Sequence, residues 1–561
     1  MSIIIKLRQY TKQRERRWVN SMVWMLVLSG VGLLLLVGTG YAQQADEVVL
    51  KHRGIYDEVT TAYQKDRYTL ERPFVRVNPF GNNPLVAEVR FASTRNVKVS
   101  VFVKELNGGY SRTDYKEFVK QHRYPILGLY PAKTNEITLV ATDRNGRNFR
   151  KELTIKTDAL PSDYPAIGSE LKVLQRDQTK LRSGYYFIML VKRKLPMGAV
   201  FLYSAIDSTG QVRWINTELK GHFFKRTQYG TMLVSLENTA NLYHTDTIYE
   251  MDDYGQYLRS WKIPDLVHHE VYVLSNRNML LLSNSKEYIE DTIIELDYKT
   301  GKVIKEWNVG DYVPATRDPL PGYTHVRNKD WAHLNSLDYD ESTDLILVSS
   351  RNQSVIAAIN KTTGKLAWLS GPHENWEDQQ RPYLLKLLNT NLNNNNNNNI
   401  NSTAGIPEWH WGQHCIRALP NGRILVFDNG RSRSFSFAKK RYAFQTYSRA
   451  VEYVVNAKNK TIEQVWEFGR KFGHELYSSY VSGIQSLPAA GTLLINFGGI
   501  TKDYLGNPVD DAASYNSARI FEVTKDSNKK VLLEVSIRSG DYTKRYGFRV
   551  YRAVKHPTLH F

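Results

Sequence analysis

The sequence predicts an all-β protein, a six-bladed β-propeller preceded by a small N-terminal β-sandwich. Three observations predict it: apolar and polar residues alternate from Pro84 onward, a hairpin closing on tryptophan recurs along the chain, and Gly and Pro punctuate short apolar runs. With 561 residues, 35 Tyr and 11 Trp, the composition is that of a folded, β-rich chain.

The first element is not part of the fold. Lys6, Arg8, Lys12, Arg14, Arg16 and Arg17 precede an uncharged run from Met22 to Val37, followed by the small-residue stretch Gly38 to Ala42. This is the pattern of a secretory signal peptide cleaved after Ala42 or Ala45, or of an uncleaved N-terminal membrane anchor, over residues 1–45. Either way, the chain from about Asp46 onward is expected outside the cytoplasm, in the periplasm, with anchoring to the inner membrane as the variant. The net charge of +19 owes part of its size to this cluster. No helix-turn-helix, zinc-finger or ribonucleoprotein motif accompanies it, so a nucleic-acid partner is set aside. Cys415 is the only cysteine, which excludes an intrachain disulfide and a cysteine-based zinc site.

Residues 46–160 read as the β-sandwich. "PLVAEVRFASTRNVKVSVFV" alternates on Val86, Val89 and Phe91 and then on Val97, Val99, Val101 and Val103. "EITLVATDRNGRNFRKELTIKT" is a hairpin whose Asn145-Gly146 supplies the positive φ of a tight turn. Pro161 to Pro165 reads as a linker.

Residues 161–561 repeat one frame: an apolar strand, a polar turn usually ending in Gly, and a strand closing on Trp214, Trp261, Trp307, Trp368 or Trp466. A sixth copy at Ile520 lacks the tryptophan. The first three tryptophans follow one another at the period of about 40–50 residues expected of four-stranded blades. The Asn-rich stretch 389–403 is a low-complexity insertion in the fifth blade, and its Asn401-Ser402-Thr403 sequon is incidental.

In a propeller the first strand of each blade lies along the central channel. Counting back from the second strands places His269, His414, His333 and His222 at the starts of first strands, and Arg351 on the same face as His333. For His222 alone, a structural role is as good a reading. Neutral imidazoles beside a guanidinium suit group transfer on an anionic ester: one imidazole attacks, another protonates the leaving oxygen, and the arginine donates to oxyanion oxygens. A three-histidine zinc hydrolase and a non-catalytic binding propeller are the competing readings. Arg351 argues against the first, because a guanidinium repels a neighbouring cation.

At this point the sequence is similar to a known family. "DWAHLNSLDYD" from Asp330, "LILVSSRNQSVIAAINKTTGKLAWLSGPHENW" to Trp376, "GQHCIRALPNGRILVFDNGRSRS" from Gly412, and "YSRAVEYVV" with "VWEFG" resemble the bacterial, nucleotide-independent arylsulfate sulfotransferases. "VNPFGNNPLVAEVRF" resembles their N-terminal domain. The resemblance implies ping-pong transfer from a phenolic sulfate donor to a phenol acceptor, with no nucleotide, metal or other cofactor. It implies that His414 is transiently sulfurylated, that His333 and Arg351 stabilise the anion, and that His269, favoured by register over His268, is a further active-site histidine. Asn335, His268 and His222 are the candidate substrate-binding residues, and a homodimer is suggested by the family alone. A disulfide found in some relatives cannot form here, and Cys415 beside the nucleophile is expected to point into the blade.

Overall fold

Alternation decides the N-terminal sheet. In the computed structural model, which describes residues 46–194, 198–236, 244–322, 329–388, 407–511, 514–540 and 546–561, strands Phe74–Val77, Ala87–Lys104, Tyr110–Ile126, Thr134–Asp143 and Asn148–Lys156 pair antiparallel. Val89, Phe91, Val97, Val99, Val101 and Val103 are all buried, as their spacing predicts. The 87–104 strand breaks register between Ala92 and Val97, pairing with 74–77 before the break and with 134–143 after it. One bent strand therefore serves both faces, and the five strands are joined in a single hydrogen-bonded sheet.

A helix, Glu47–Gln64, precedes this sheet and was not part of the expectation. Its signal is Val49, His52, Tyr56, Val59 and Tyr63, spaced three and four apart on one face. Val49, His52 and Val59 are buried, while Arg90 lies over the rings of Tyr56 and Tyr63. His52 Nδ1 accepts the Tyr257 N–H at 3.2 Å, which ties the helix to the larger part of the fold. The all-β class holds for the rest of the described chain.

Six antiparallel four-stranded meanders follow, numbered here I to VI. Sheet II runs from Phe224–Arg226 to the long strand Tyr257–Val273, whose second half opens sheet III, which ends at Val303–Asn308. Sheet IV spans Leu334–Asp340 to Leu366–Ser370, and sheet V spans His414–Leu419 to Thr461–Phe468. Sheet VI spans Gly483–Leu487 to Val531–Ile537. Two meanders carry a fifth, outer strand: Lys386–Leu388, parallel to Thr461–Phe468, on sheet V, and Leu171–Arg176, antiparallel to Val531–Ile537, on sheet VI. Sheet I takes its first strand, Tyr546–His556, from the end of the chain and its other three, Tyr185–Lys194, Ala199–Ile206 and Val212–Asn216, from the beginning. The two ends of the series are thus hydrogen-bonded to each other, which leaves no open first strand at the join.

Each tryptophan hairpin of the sequence is the outer half of one meander. Trp214, Trp261, Trp307, Trp368 and Trp466 are buried, and Trp261 Nε1 donates to the Tyr298 carbonyl at 2.9 Å. The small sheet has no core of its own: Val89, Phe91, Val99 and Leu139 share one apolar cluster with Ile188 of sheet I and Ile520 and Val535 of sheet VI. The 1–45 segment and the Asn-rich stretch lie outside the described residues. Among those described, no helix is long and apolar enough to cross a membrane.

Burial sets the acid response of this fold. His52, His122, His410 and His556 are held at about 4, mainly by desolvation, against an ordinary value of 6.5. Below pH 6.5 the unfolded chain binds protons that the folded chain refuses, so stability falls as pH drops from 6.5 towards 4. His410, fully buried, contributes about 3 kcal/mol of that loss. Urea unfolding midpoints should decline steadily between pH 6.5 and 5, above the carboxylate range; equal midpoints would contradict the assignment.

Candidate active site

The same local device recurs where the first strands begin. Register breaks fall between His268 and Val271, between Leu334 and Ser336, between His414 and Arg417, and between Val550 and Ala553. A non-glycine residue at positive φ stands within two of these breaks, 58° at His269 and 54° at Cys415, and directly before a third, 50° at His333. Such bulges re-aim a side chain at a cost of about 1 kcal/mol or more each, and they gather at functional sites. Here they turn imidazoles out of the strand pleat. Cys415, by contrast, is turned into the apolar core, where its sulfur accepts the Ile484 N–H at 3.3 Å.

The structure brings four of the predicted histidines together, and His414 lies within the electrostatic influence of His333 and Arg351. Ring centroids lie 4.8 Å apart for His222 and His269, 5.2 Å for His269 and His333, and 5.1 Å for His268 and His269. His268 and His269 face each other through their Nδ1 atoms at 2.9 Å, and His268 Nε2 donates to the Ser283 carbonyl at 3.1 Å. Arg351 follows the second strand of sheet IV, and its N–H donates to the His333 carbonyl at 3.1 Å. His222 stacks on Tyr551 at 3.9 Å. Asn335 is fully buried and its amide donates to the Gln413 carbonyl at 2.8 Å, so it holds the backbone immediately before His414.

Side chains missed by the sequence reading complete the arrangement. Glu290 is buried among the histidines: Oε1 lies 2.8 Å from His244 Nε2 and 4.0 Å from His269 Nδ1, and Oε2 lies 2.6 Å from His333 Nδ1. Asp330 Oδ2 lies 2.6 Å from the same His333 nitrogen. Asn429 Oδ1 lies 2.8 Å from His414 Nδ1, and its amide donates to the Ser478 and Val481 carbonyls at 2.7 and 3.1 Å. Asp330 and Asn429 sit inside motifs already noted, whereas Glu290 and Tyr551 carry no local signal, because only tertiary structure places them here.

These partners separate the charge states of the imidazoles. Burial, and after it the field of Arg351, hold His414 well below the usual histidine range, with His333 and Arg552 adding to the effect. Burial likewise holds His269 low. Burial and Arg351 also press His333 down, but Asp330 and Glu290 outweigh them and its pKa is raised. One imidazole held neutral and one drawn towards its protonated form thus lie in the field of the same guanidinium. The fixed Asn429 amide presents its oxygen to His414 Nδ1, so that nitrogen carries the proton and Nε2 keeps its lone pair.

Two groups have donor atoms close enough to share a cation: His268, His269 and Glu290, and Glu290, Asp330 and His333. In the second, both carboxylates already touch His333 Nδ1 at 2.6 Å. Ligands around a tetrahedral zinc ion stand about 3.3 Å apart, so this group is closed as a hydrogen-bonded cluster and would have to spread to take an ion.

A cavity of about 160 Å³ lies against His222 and His269, walled by the first strands of sheets I, II, III, V and VI. Those five strands therefore face one axis. A second cavity, of about 690 Å³, lies apart, between the small sheet and sheet I, and none of these site histidines lines it.

The family described as Arylsulfotransferase (ASST) matches residues 172–549, and the Arylsulfotransferase Ig-like domain matches residues 74–158. The arylsulfate sulfotransferase AssT of Lelliottia amnigena is 25% identical over 522 residues, covering 77% of this chain and 86% of that protein. The protein of the same name from Escherichia coli O6:H1 is 26% identical over 516 residues, covering 76% and 84%. Among solved structures, the Bacteroides fragilis putative 6-phosphogluconolactonase aligns at TM-score 0.33 and 10% identity, over 83% of this chain and 99% of that one, a likeness too slight to carry an argument. With the family profile spanning most of the chain, the protein belongs to the arylsulfotransferase family and is an aryl sulfotransferase.

Proposed function

We propose that the protein moves a sulfuryl group from a phenolic sulfate ester to a phenol in two steps through His414, on a six-bladed propeller facing the periplasm. The observation that carries this reading is the opposed shift of two imidazoles in the field of Arg351: His414 is held low, and so neutral with its lone pair on Nε2, while Asp330 and Glu290 draw His333 towards its protonated form. In the first step His414 Nε2 attacks sulfur, the bond from sulfur to the aryl oxygen breaks, and His333 gives its Nε2 proton to the departing aryl oxide. His333 Nδ1 is held by Asp330 and Glu290, which leaves Nε2 to face the substrate. In the second step the acceptor's phenolic oxygen attacks the same sulfur, the nitrogen–sulfur bond breaks, and the phenolic proton returns to His333. Arg351 offers its fork of donors to the sulfuryl oxygens in both steps, while His269, neutral and giving its Nδ1 proton to His268, keeps a lone pair on Nε2 and is an acceptor there.

The donor half of this cycle is testable alone. Incubating the full-length protein with an aryl sulfate and no acceptor should add one sulfuryl group, located by intact mass and peptide mapping on the Gly412–Arg417 segment. Adding phenol should discharge it, and a chelator should change neither step. An adduct mapped elsewhere, or turnover that stops with chelator, would overturn the reading in favour of another nucleophile or a metal-dependent hydrolase.

A further inference from the structure

The 160 Å³ cavity beneath the histidines has a charge imbalance that sulfuryl transfer does not use. It is lined by four cationic side chains, Lys225, Arg226, Arg417 and Arg552, and by one carboxylate, Glu270. That carboxylate is fully engaged, because both Arg417, at 3.1 Å, and Arg552 donate to it. Arg552 Nε is buried and has no hydrogen-bond partner. Among the described residues no carboxylate pairs with Lys225, and Arg226 reaches only the Thr558 carbonyl, at 3.4 Å. The His556 ring faces the same space, and its proton affinity is lowered by burial and then by Arg226 and Lys225. Glu270 and Asp338 act on Lys225, and Asp253 acts on Arg226, but the four cations outnumber these carboxylates. Desolvating like charges short of counter-charge is costly, and an anion of suitable size offsets that cost.

We infer that this cavity, which borders the reacting layer at His222 and His269, is a second anion subsite, holding a tetrahedral oxyanion of the sulfate class near Lys225, Arg226 and Arg552. Its lining suits a small ion, with the apolar Phe223, Val271, Ile484 and Val554 beside the cationic groups. Two sources share the chemistry, free inorganic sulfate and the sulfate group of an ester. The inference does not require that His414 be the nucleophile.

The test is calorimetric titration of the full-length protein with sodium sulfate at constant ionic strength, chloride serving as the reference anion. Sulfate should bind in excess of chloride, and Lys225→Met, which keeps the apolar stem, should weaken binding about tenfold or more. At saturating aryl sulfate, kcat should stay within about twofold in that variant, since Lys225 does not touch the reacting atoms, whichever source fills the subsite. His556→Phe gives an independent second variant with the same expected direction. A non-transferable aryl sulfonate separates the sources: sensitivity of its binding to Lys225→Met assigns the subsite to the ester, and insensitivity assigns it to free sulfate. No preference for sulfate over chloride overturns the inference. So does sulfate binding that survives Lys225→Met but is lost in Arg351→Met, because the ion then sits only in the reacting layer.

Discussion

Replacing His414 with alanine is expected to lower phenol sulfation at least about 10⁴-fold and to remove the sulfuryl adduct completely. A nucleophile contributes a bond, so its loss cannot be offset by the remaining oxyanion donors, which account only for the residual rate. The loss corresponds to roughly 5–6 kcal/mol of activation free energy. His414 is buried and hydrogen-bonded through Nδ1 alone, so the change removes one bond to Asn429 and leaves the strand pairing of His414 with Phe427 to the backbone. Thermal stability should therefore change far less than rate. A variant that folds, turns over at more than a tenth of the parent rate and still carries an adduct would be falsifying for the nucleophile assignment.

The second large effect is at Arg351. Arg351→Met should lower kcat/KM about 10²–10³-fold, the usual consequence of losing one donor to a developing oxyanion. A purely structural role would give a similar loss with no other signature, so the pH profile is the discriminating measurement. The charged groups acting on His414 are Arg351, His333 and Arg552, with burial as the largest influence and the Asn429 amide opposing them. Without Arg351, His414 takes up a proton more readily. Activity that requires the neutral ring is lost as pH falls, and in the variant that loss should begin at a higher pH. An unchanged acid limb would place Arg351 away from the nucleophile.

How much was legible beforehand follows from range along the chain. Alternation over Val97 to Val103 and the recurring tryptophan hairpins are properties of neighbouring residues, so sheets and outer hairpins could be read directly. The spacing between a first strand and its partner likewise indicated His269, His333 and His414. The helix at 47–64 was legible in its three-and-four spacing but lay in a segment taken as β. Asn429 and Asp330 stood in motifs that were noted without their roles, because only coordinates show which atom faces which nitrogen. Glu290 follows a strand end and Tyr551 lies near the C-terminus, and nothing in either segment's pattern marks it.

The sequence by itself determined the all-β class, the six recurring hairpins, the set of imidazoles and Arg351, since each depends on local periodicity and residue type. Tertiary structure alone decided that sheet I is completed by the last strand of the chain, and that Glu290 and Asp330 meet on one nitrogen of His333 while Asn429 meets His414. The physical reason is that proton affinity depends on burial and on charges a few ångströms away, and those neighbours come from segments far apart in the chain.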